Sequence, residues 1–410
     1  MRRHTLAFVL VLFAASSAMG SGFQIAAQGA RAMGMGLAYT AVADDATAIF
    51  YNPGALALQP EKGEVLIGLM GAGNLEGEFA SGAGTEEQQT GLTAIPQVHA
   101  FASWGSVKYG VGVFAPFGLP MRWENPATFS GRYTSYSAIL KTLTVNPTVS
   151  WQVTPSLGVG LGADYMSSKL QLERFIPASA SPLIPVNVAR AKLSGDLFDN
   201  HGWGWNAGVL WKSGALRLGA SYRSSIDIDH DVTTQFTLLN PAVPLPTTPL
   251  TTNVDIEFPS SLNLGAAWTF GTTTLSFDAD RTDWSSFQKL EIIVTGLPPQ
   301  PPRPNNWSDS WAYRVGAEFS CGGTLKCRLG YFQDQTPQPL VDVGPILPDA
   351  DRTGYGVGLG WQGTHLGIDV ADNYVVFDDR TTTAAGSTDH LAGTWKSTGN
   401  ELAVNVNWHW

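Results

Sequence analysis

The chain has 410 residues, enough for one large domain or two ordinary ones. Its 45 Gly, 25 Pro, 14 Trp, 11 Tyr and 19 Phe against only 14% charged residues favour one large β-structure over long amphipathic helices. A formal net charge of −10 with no basic stripe leaves nothing to neutralise phosphates, so nucleic acid is excluded as a partner.

Arg2 and Arg3 precede the apolar run Leu6 to Ala15, and Ala18-Met19-Gly20 supplies small residues, so residues 1–20 read as a secretory leader cleaved before Ser21. The run is too short for a spanning helix, which needs about 20 residues. Residues 21–62 are rich in Gly, Ala and Met and alternate weakly. There Asp44-Asp45 precede a short predicted helix ending at Phe50, either aspartate offering a cap, and Asn52-Pro53-Gly54 reads as a turn. This segment is expected to be a compact appendage to a main body of residues 63–410.

From Glu64 onward, period-two segments recur, with predicted strands near 64–73, 90–104, 107–118, 135–151, 157–174, 188–212, 215–236, 249–270, 272–295, 307–320, 325–335, 352–361, 364–376 and 398–410. The last is the clearest, Leu402, Val404, Val406, Trp408 and Trp410 alternating with Ala403, Asn405, Asn407 and His409. At Tyr355, Val357, Leu359 and Trp361 large side chains alternate with glycines, which marks the other face as crowded or closely approached. Fourteen strands, short turns alternating with long polar loops, and aromatic strand ends such as Trp151, Trp211, Trp268 and Trp361 predict an all-β, 14-stranded antiparallel transmembrane barrel. A large soluble β-sandwich or a secreted adhesin also alternates, but has no use for an outward apolar face of this size. Cys321 and Cys327 flank a glycine-led turn and can close a hairpin loop in an oxidising compartment, with two free thiols as the alternative.

No metalloprotease helix and no nucleophile elbow is present, and the expectation is no enzyme, no cofactor and no metal. Asp227, Asp229 and Asp231 alternate on one side of a strand end and offer hard oxygen ligands, but such a row is more often a solvated loop. The faces opposite the apolar stripes are mostly Gly, Ser, Thr or Asn, so the lumen reads as poor in charge. Aromatic segments Phe114-Ala115-Pro116-Phe117-Gly118-Leu119 and Phe175-Ile176-Pro177 are candidates to line an apolar pocket, and Arg174 beside them is a candidate anchor for a carboxylate.

Gly22-Phe23-Gln24, the stretch Ala43 to Asn52-Pro53-Gly54, Trp205 to Leu210 with Ser221-Tyr222-Arg223-Ser224, Trp284-Ser285-Ser286-Phe287, Arg328-Leu329-Gly330-Tyr331, Asp334-Gln335-Thr336-Pro337 and Leu347 to Arg352 occur in order. Together they resemble the FadL-type outer-membrane transporters of long-chain fatty acids and other hydrophobic compounds, with Gly54 where the family's Asn-Pro-Ala signature has alanine. The resemblance implies residence in the bacterial outer membrane among lipid and lipopolysaccharide, a single chain as the working unit, and hydrophobic cargo taken up passively. It implies an N-terminal plug inside the lumen, with Phe23, Asp44, Asp45, Asn52, Pro53 and Gly54 in the plug. It further implies capture by outer loops, an internal pocket at Arg174, Phe175, Phe114, Phe117 and Leu119, and lateral exit through a kinked third strand around Gly105, Gly110, Gly112 and Pro116. Where some members carry a second basic group, near Ser310, this chain has no lysine, which favours neutral hydrocarbon or aromatic cargo. A general or small-solute porin is the alternative, and an adhesin the more distant one.

Overall fold

The computed structural model describes residues 21–73, 76–178 and 186–410. The expected leader lies outside them. Among the described residues, fourteen strands close an antiparallel barrel: β1 Gly63–Gly73, β2 Leu92–Trp104, β3 Val107–Phe114, β4 Ser137–Thr154, β5 Leu157–Pro177, β6 Asn200–Ser213, β7 Leu216–Arg223, β8 Ser261–Phe270, β9 Thr273–Thr282, β10 Ser310–Gly322, β11 Leu325–Asp334, β12 Arg352–Gln362, β13 Leu366–Phe377 and β14 Gly393–His409. β1 pairs with β14 from Glu64 opposite His409 to Ala72 opposite Glu401, which shuts the sheet. Closure is what a bilayer demands, because an unpaired backbone edge finds no water in hydrocarbon.

The wall is inside out relative to a soluble protein. Ile67, Leu161 and Leu359 are 59%, 59% and 62% exposed, while the neighbouring lumen positions Leu66, Gly162 and Gly358 are buried or close-packed. Trp104, Trp151, Trp211, Trp268 and Trp408 face outward near the short-turn end, and Tyr165, Trp203, Tyr331, Tyr355 and Tyr374 near the other. These are the two aromatic girdles of a membrane barrel, short turns marking the periplasmic rim and long connections the outer one.

Three predicted strands are each two. The stretches 188–212, 215–236 and 249–270 break near 195–199, 224–225 and 259–260. Their outer parts, Asn187–Ser194, Ile226–Leu238 and Leu250–Phe258, pair with one another and with the upper end of β5 as a sheet standing beyond the girdle. The break is invisible to alternation, which continues through both parts. Another difference is Glu76–Ser81 with Gly84–Glu87, an outer hairpin against β14 that its polar composition hides. Cys321 and Cys327 are joined by a disulfide across the periplasmic β10–β11 turn.

The N-terminal segment fills the lumen with three short helices, Ala30–Gly34, Ala48–Tyr51 and Pro53–Leu56. Asn52 explains its own motif. Its Oδ1 accepts from Gly54 N (3.0 Å) to cap the last helix, Pro53 supplies the preset first turn, and Nδ2 donates to Thr40 O (2.9 Å) and to Val209 O of β6 (3.0 Å). The plug touches the wall where the wall has no side chains. A Cβ on Gly330 would lie 1.9 Å from Gly36 N, and one on Gly208 2.2 Å from Asn52 Oδ1. Gly330→Leu is therefore expected to unseat the plug while leaving the barrel folded. Limited proteolysis checks this: residues 21–62 become cleavable in a variant that still migrates as folded in unheated electrophoresis.

Candidate functional site

The plug is held by ions and amides. Asp278 of β9 accepts from the backbone N–H groups of Tyr39 (2.8 Å) and Thr40 (2.7 Å), Ser150 donates to Pro53 O (2.7 Å), and Ser221 donates to Tyr51 O (2.7 Å). Arg31 binds Asp44 and Glu318 (2.8 Å), Arg217 reaches Asp44 (3.2 Å), and Arg328 joins Glu318 (2.7 Å) to Asp369 (2.7 Å). The lumen is thus rich in charge, contrary to the sequence reading. Single Arg, Asp and Glu residues scattered over many strands meet there only because the barrel closes. Neither of the two predicted capping aspartates caps the helix Ala48–Tyr51, whose N-cap is Thr47: Asp45 accepts from Thr47 N (2.9 Å) and Tyr39 Oη (2.7 Å) just ahead of it, and Asp44 is an ion-pair residue.

Residues 21–23 are anchored differently. Gly22 N donates to Asp349 (3.1 Å) and Ser21 Oγ meets Ser310 Oγ (2.9 Å), so the position near which the sequence lacks a lysine holds Ser21 instead. Burial pushes the Asp349 carboxyl up, against the pull of Arg352. Phe23 then enters a cage of rings, with centroids 4.7 Å from Trp284, 5.5 Å from Phe287, 5.9 Å from Trp307, 6.0 Å from Phe117 and 6.1 Å from Phe258. Beside it an apolar cavity of about 70 Å³ is bounded by Leu119, Leu140 and Ile256.

Next to the cage the wall itself has a window. β2 pairs with β3 only from Trp104 opposite Val107 to Val98 opposite Val113. β3 breaks at Ala115–Phe117 and resumes as Gly118–Arg122, laddered to β4 alone, so residues 92–97, laddered to β1, have no ladder to it among the described residues. Gln89 N donates to Arg122 O (2.9 Å) and closes the frame above. Pro96, Pro116 and Pro120 each remove a donor along this opening. From inside, the plug supplies a substitute edge: Ile25 N donates to Pro116 O (2.7 Å), Gly118 N to Phe23 O (2.9 Å), and Gln28 Nε2 to Ala115 O (2.8 Å). A cavity of about 320 Å³ occupies the window, bounded by Ile25, Ile95, Pro96, Phe117 and Leu119 and by successive β4 residues Leu140, Lys141, Thr142 and Leu143. Leu140 and Thr142 are buried and turned inward, whereas Lys141 is exposed and turned outward. The cavity therefore borders both faces of the wall.

The predicted residues fall into several places. Phe117 and Leu119 join Phe23 at the window. Phe114 lies deeper, ringed by Phe50 (5.1 Å) and His99 (5.7 Å), with the Arg223 guanidinium 5.4 Å from its centroid. Phe175 packs on Tyr136 (5.2 Å) under the outer loops. Arg174 is exposed and lines a separate groove of about 290 Å³ with Phe236, Leu245, Ile292, Val294 and Leu297. Gly110 and Gly112 meet Ile49 of the plug, Pro116 is in the break, and Gly105 is in the β2–β3 turn at the periplasmic rim. Asp227, Asp229 and Asp231 are on the outward side of an outer strand, with Glu257 and Asp255 opposite the first two. Sequence reasoning missed Trp307, Phe258, Ile95, Pro96 and Lys141. Lys141 carried only the faint signal of a lone cation in an otherwise uncharged alternating strand, and Pro96 is a signal only once its neighbours are known.

Residues 11–410 match the family described as outer membrane protein transport protein (OMPP1/FadL/TodX). The chain belongs to this family. It is 23% identical over 375 residues to the long-chain fatty acid transport protein of Salmonella typhi, with 84% of each chain covered. Its fold is similar to a Pseudomonas aeruginosa FadL homologue (TM-score 0.77, 17% identity, 95% and 99% covered) and to the P. putida toluene transporter TodX (0.75, 19%, 93% and 98%). It is accordingly a passive transporter of hydrophobic compounds in the bacterial outer membrane and not an enzyme.

Burial pushes the Asp44 carboxyl up, but Arg31 and Arg217 outweigh it and hold it below the usual range. A depressed carboxylate stabilises the seated plug above its ordinary value of about 3.9 and loses that contribution as pH falls through the lowered one. Planar-bilayer conductance is expected to stay low near neutrality and rise only on strong acidification. Asp44→Asn, which strips Arg31 and Arg217 of a counter-charge, is expected to raise it already at neutral pH.

Proposed function

We propose that cargo is captured in the Arg174 groove, passes to the aromatic cage, and leaves sideways through the β2–β3 window into the outer leaflet when the N-terminal segment withdraws. The observation that carries this reading is that residues 92–97, laddered to β1, have no ladder on their other side, beside a cavity bordering both faces of β4. A closed barrel in hydrocarbon gains nothing from such a fault, whose unpaired groups cost several kcal/mol unless something covers them (~2 kcal/mol or more each). The plug covers those at 115–118 through only a few hydrogen bonds, and Phe23 occupies the space an apolar guest would take. Burying a chain is worth about 0.8 kcal/mol per methylene, so a hydrophobic guest can compete for the cage without many polar contacts.

The polar latch around Asp44 and Asp278 supports a plug whose body stays seated while only residues 21–28 move. Residues 1–20 as a removable leader, 21–62 as plug and 63–410 as barrel are the domain division this reading uses. The chain is taken to act alone, since lipid must reach the window from outside.

Ala115→Trp is expected to fill the window and abolish uptake of hydrophobic compounds while leaving capture at the Arg174 groove intact. Comparing cellular uptake with binding to the purified protein checks this, and undiminished uptake would remove the window from the route. Phe23→Ala, which forfeits about 3–5 kcal/mol of ring packing, is expected to speed uptake by releasing the N-terminal segment.

A further inference from the structure

Within the window cavity one lining residue is charged. Lys141 is exposed on the outward side of β4, among Ile95, Pro96, Phe117, Leu119 and Leu143, and it forms no ion pair among the described residues. Directly opposite it in the β4–β5 ladder is Lys169, also on the outward face. Like charges placed across a strand pair repel, and the one acidic partner recorded nearby, Asp196, is 3.6 Å from Lys169 and 85% exposed, a weak counter-charge. Lys169 lies two outward positions beyond Tyr165, whose ring packs 4.9 Å from that of Trp203 in the upper girdle. That is headgroup level, with hydrocarbon below it.

An apolar cavity through the wall, with the unpaired Lys141 ammonium at its outer lip and the weakly paired Lys169 ammonium opposite it on β5, matches an amphiphile whose tail crosses the window and whose anionic head stays at the interface. We propose that Lys141 and Lys169 form an exit subsite for the carboxylate of an acyl-chain acid, a specificity element that favours fatty acids over neutral compounds leaving by the same window. This rests on the lateral route proposed above and reverses the neutral-cargo preference suggested by the absence of lysine near Ser310. Arg174 and the lysine pair then form two cationic stations, one at capture and one at release, with the aromatic cage between them. The headgroup moves from one to the other without any covalent step.

The test uses the full-length protein in nonionic detergent with diazirine-tagged lauric acid and the matching lauryl alcohol, labelling being mapped by peptide mass spectrometry. Wild type is expected to show preferential labelling of window peptides by the acid. Lys141→Gln, alone and with Lys169→Gln, is expected to lower the acid-to-alcohol ratio about two- to five-fold, the range of an exposed ion pair, and Lys141→Arg to restore it. An unchanged ratio in the double variant, or equal loss of both probes, overturns the subsite. So does loss of the acid preference on adding lipopolysaccharide, which would make the pair a site for its phosphates. If the window labels with both probes in wild type and with neither in Ala115→Trp, the lateral route stands whatever the lysines do. If the window of wild type labels with neither probe, route and subsite both fail.

Discussion

Hydrocarbon offers no hydrogen bonds, and every other feature of this protein is arranged around that fact. Among the described residues, thirteen of the fourteen strand junctions are laddered along most of the membrane-facing wall, β1 to β14 included, so most backbone groups of the wall are satisfied by neighbours. Once the wall must close, its outer face is free to be aliphatic and its inner face must solvate whatever polar groups remain. The remaining junction, β2 with β3, is laddered only over its periplasmic part, and above it residues 23–28 of the plug lie across the fault. The energetic weakness of the wall and the mobility expected of its cover are one feature: a fully laddered wall would need no cover and admit no passage.

The plug's two ends differ in the kind of force that holds them. From Arg31 to Asn52 it is tied by buried ion pairs and by backbone amides accepted by Asp278, interactions that are costly to break singly because each leaves a charge or a donor unpaired in the lumen. From Phe23 to Gln28 it is held by ring packing and a short run of edge hydrogen bonds. Apolar packing is non-directional and can be exchanged for packing against a guest of similar shape, whereas an ion pair cannot be replaced by a hydrocarbon. On the proposed route a greasy ligand competes with residues 23–28 without disturbing the body of the plug.

Much of the barrel was legible because lipid imposes a simple rule on every second residue. Leu402, Val404, Val406 and Trp408 announce their side of the wall wherever they fall, and glycines at 354, 356 and 358 announce a close approach on the other side. The outer sheet was hidden by the same rule, since Ile226 to Phe236 keeps the alternation after leaving the barrel. Lumen charges were hidden because Arg328 and Asp369 are 41 positions apart and become partners only through the register of β11 with β12 and β12 with β13. The window was hidden most deeply of all. A missing ladder is a property of two strands together, and the prolines at 96, 116 and 120 signal it only once those segments are known to be neighbours.

The same reasoning explains why polar residues around the window read as unremarkable in sequence. In the cavity a cation is significant not for its own sake but because its surroundings are apolar on three sides and lipid headgroups lie on the fourth. Arg174 was conspicuous, following Glu173 and preceding an aromatic stretch, yet it occupies an outer groove with no direct share in the Phe23 cage. Lys141 was inconspicuous, flanked by Leu140 and Thr142, yet it stands where the wall is open. What separates them is position relative to the fault in the sheet, since a charge can steer cargo only where cargo has a path.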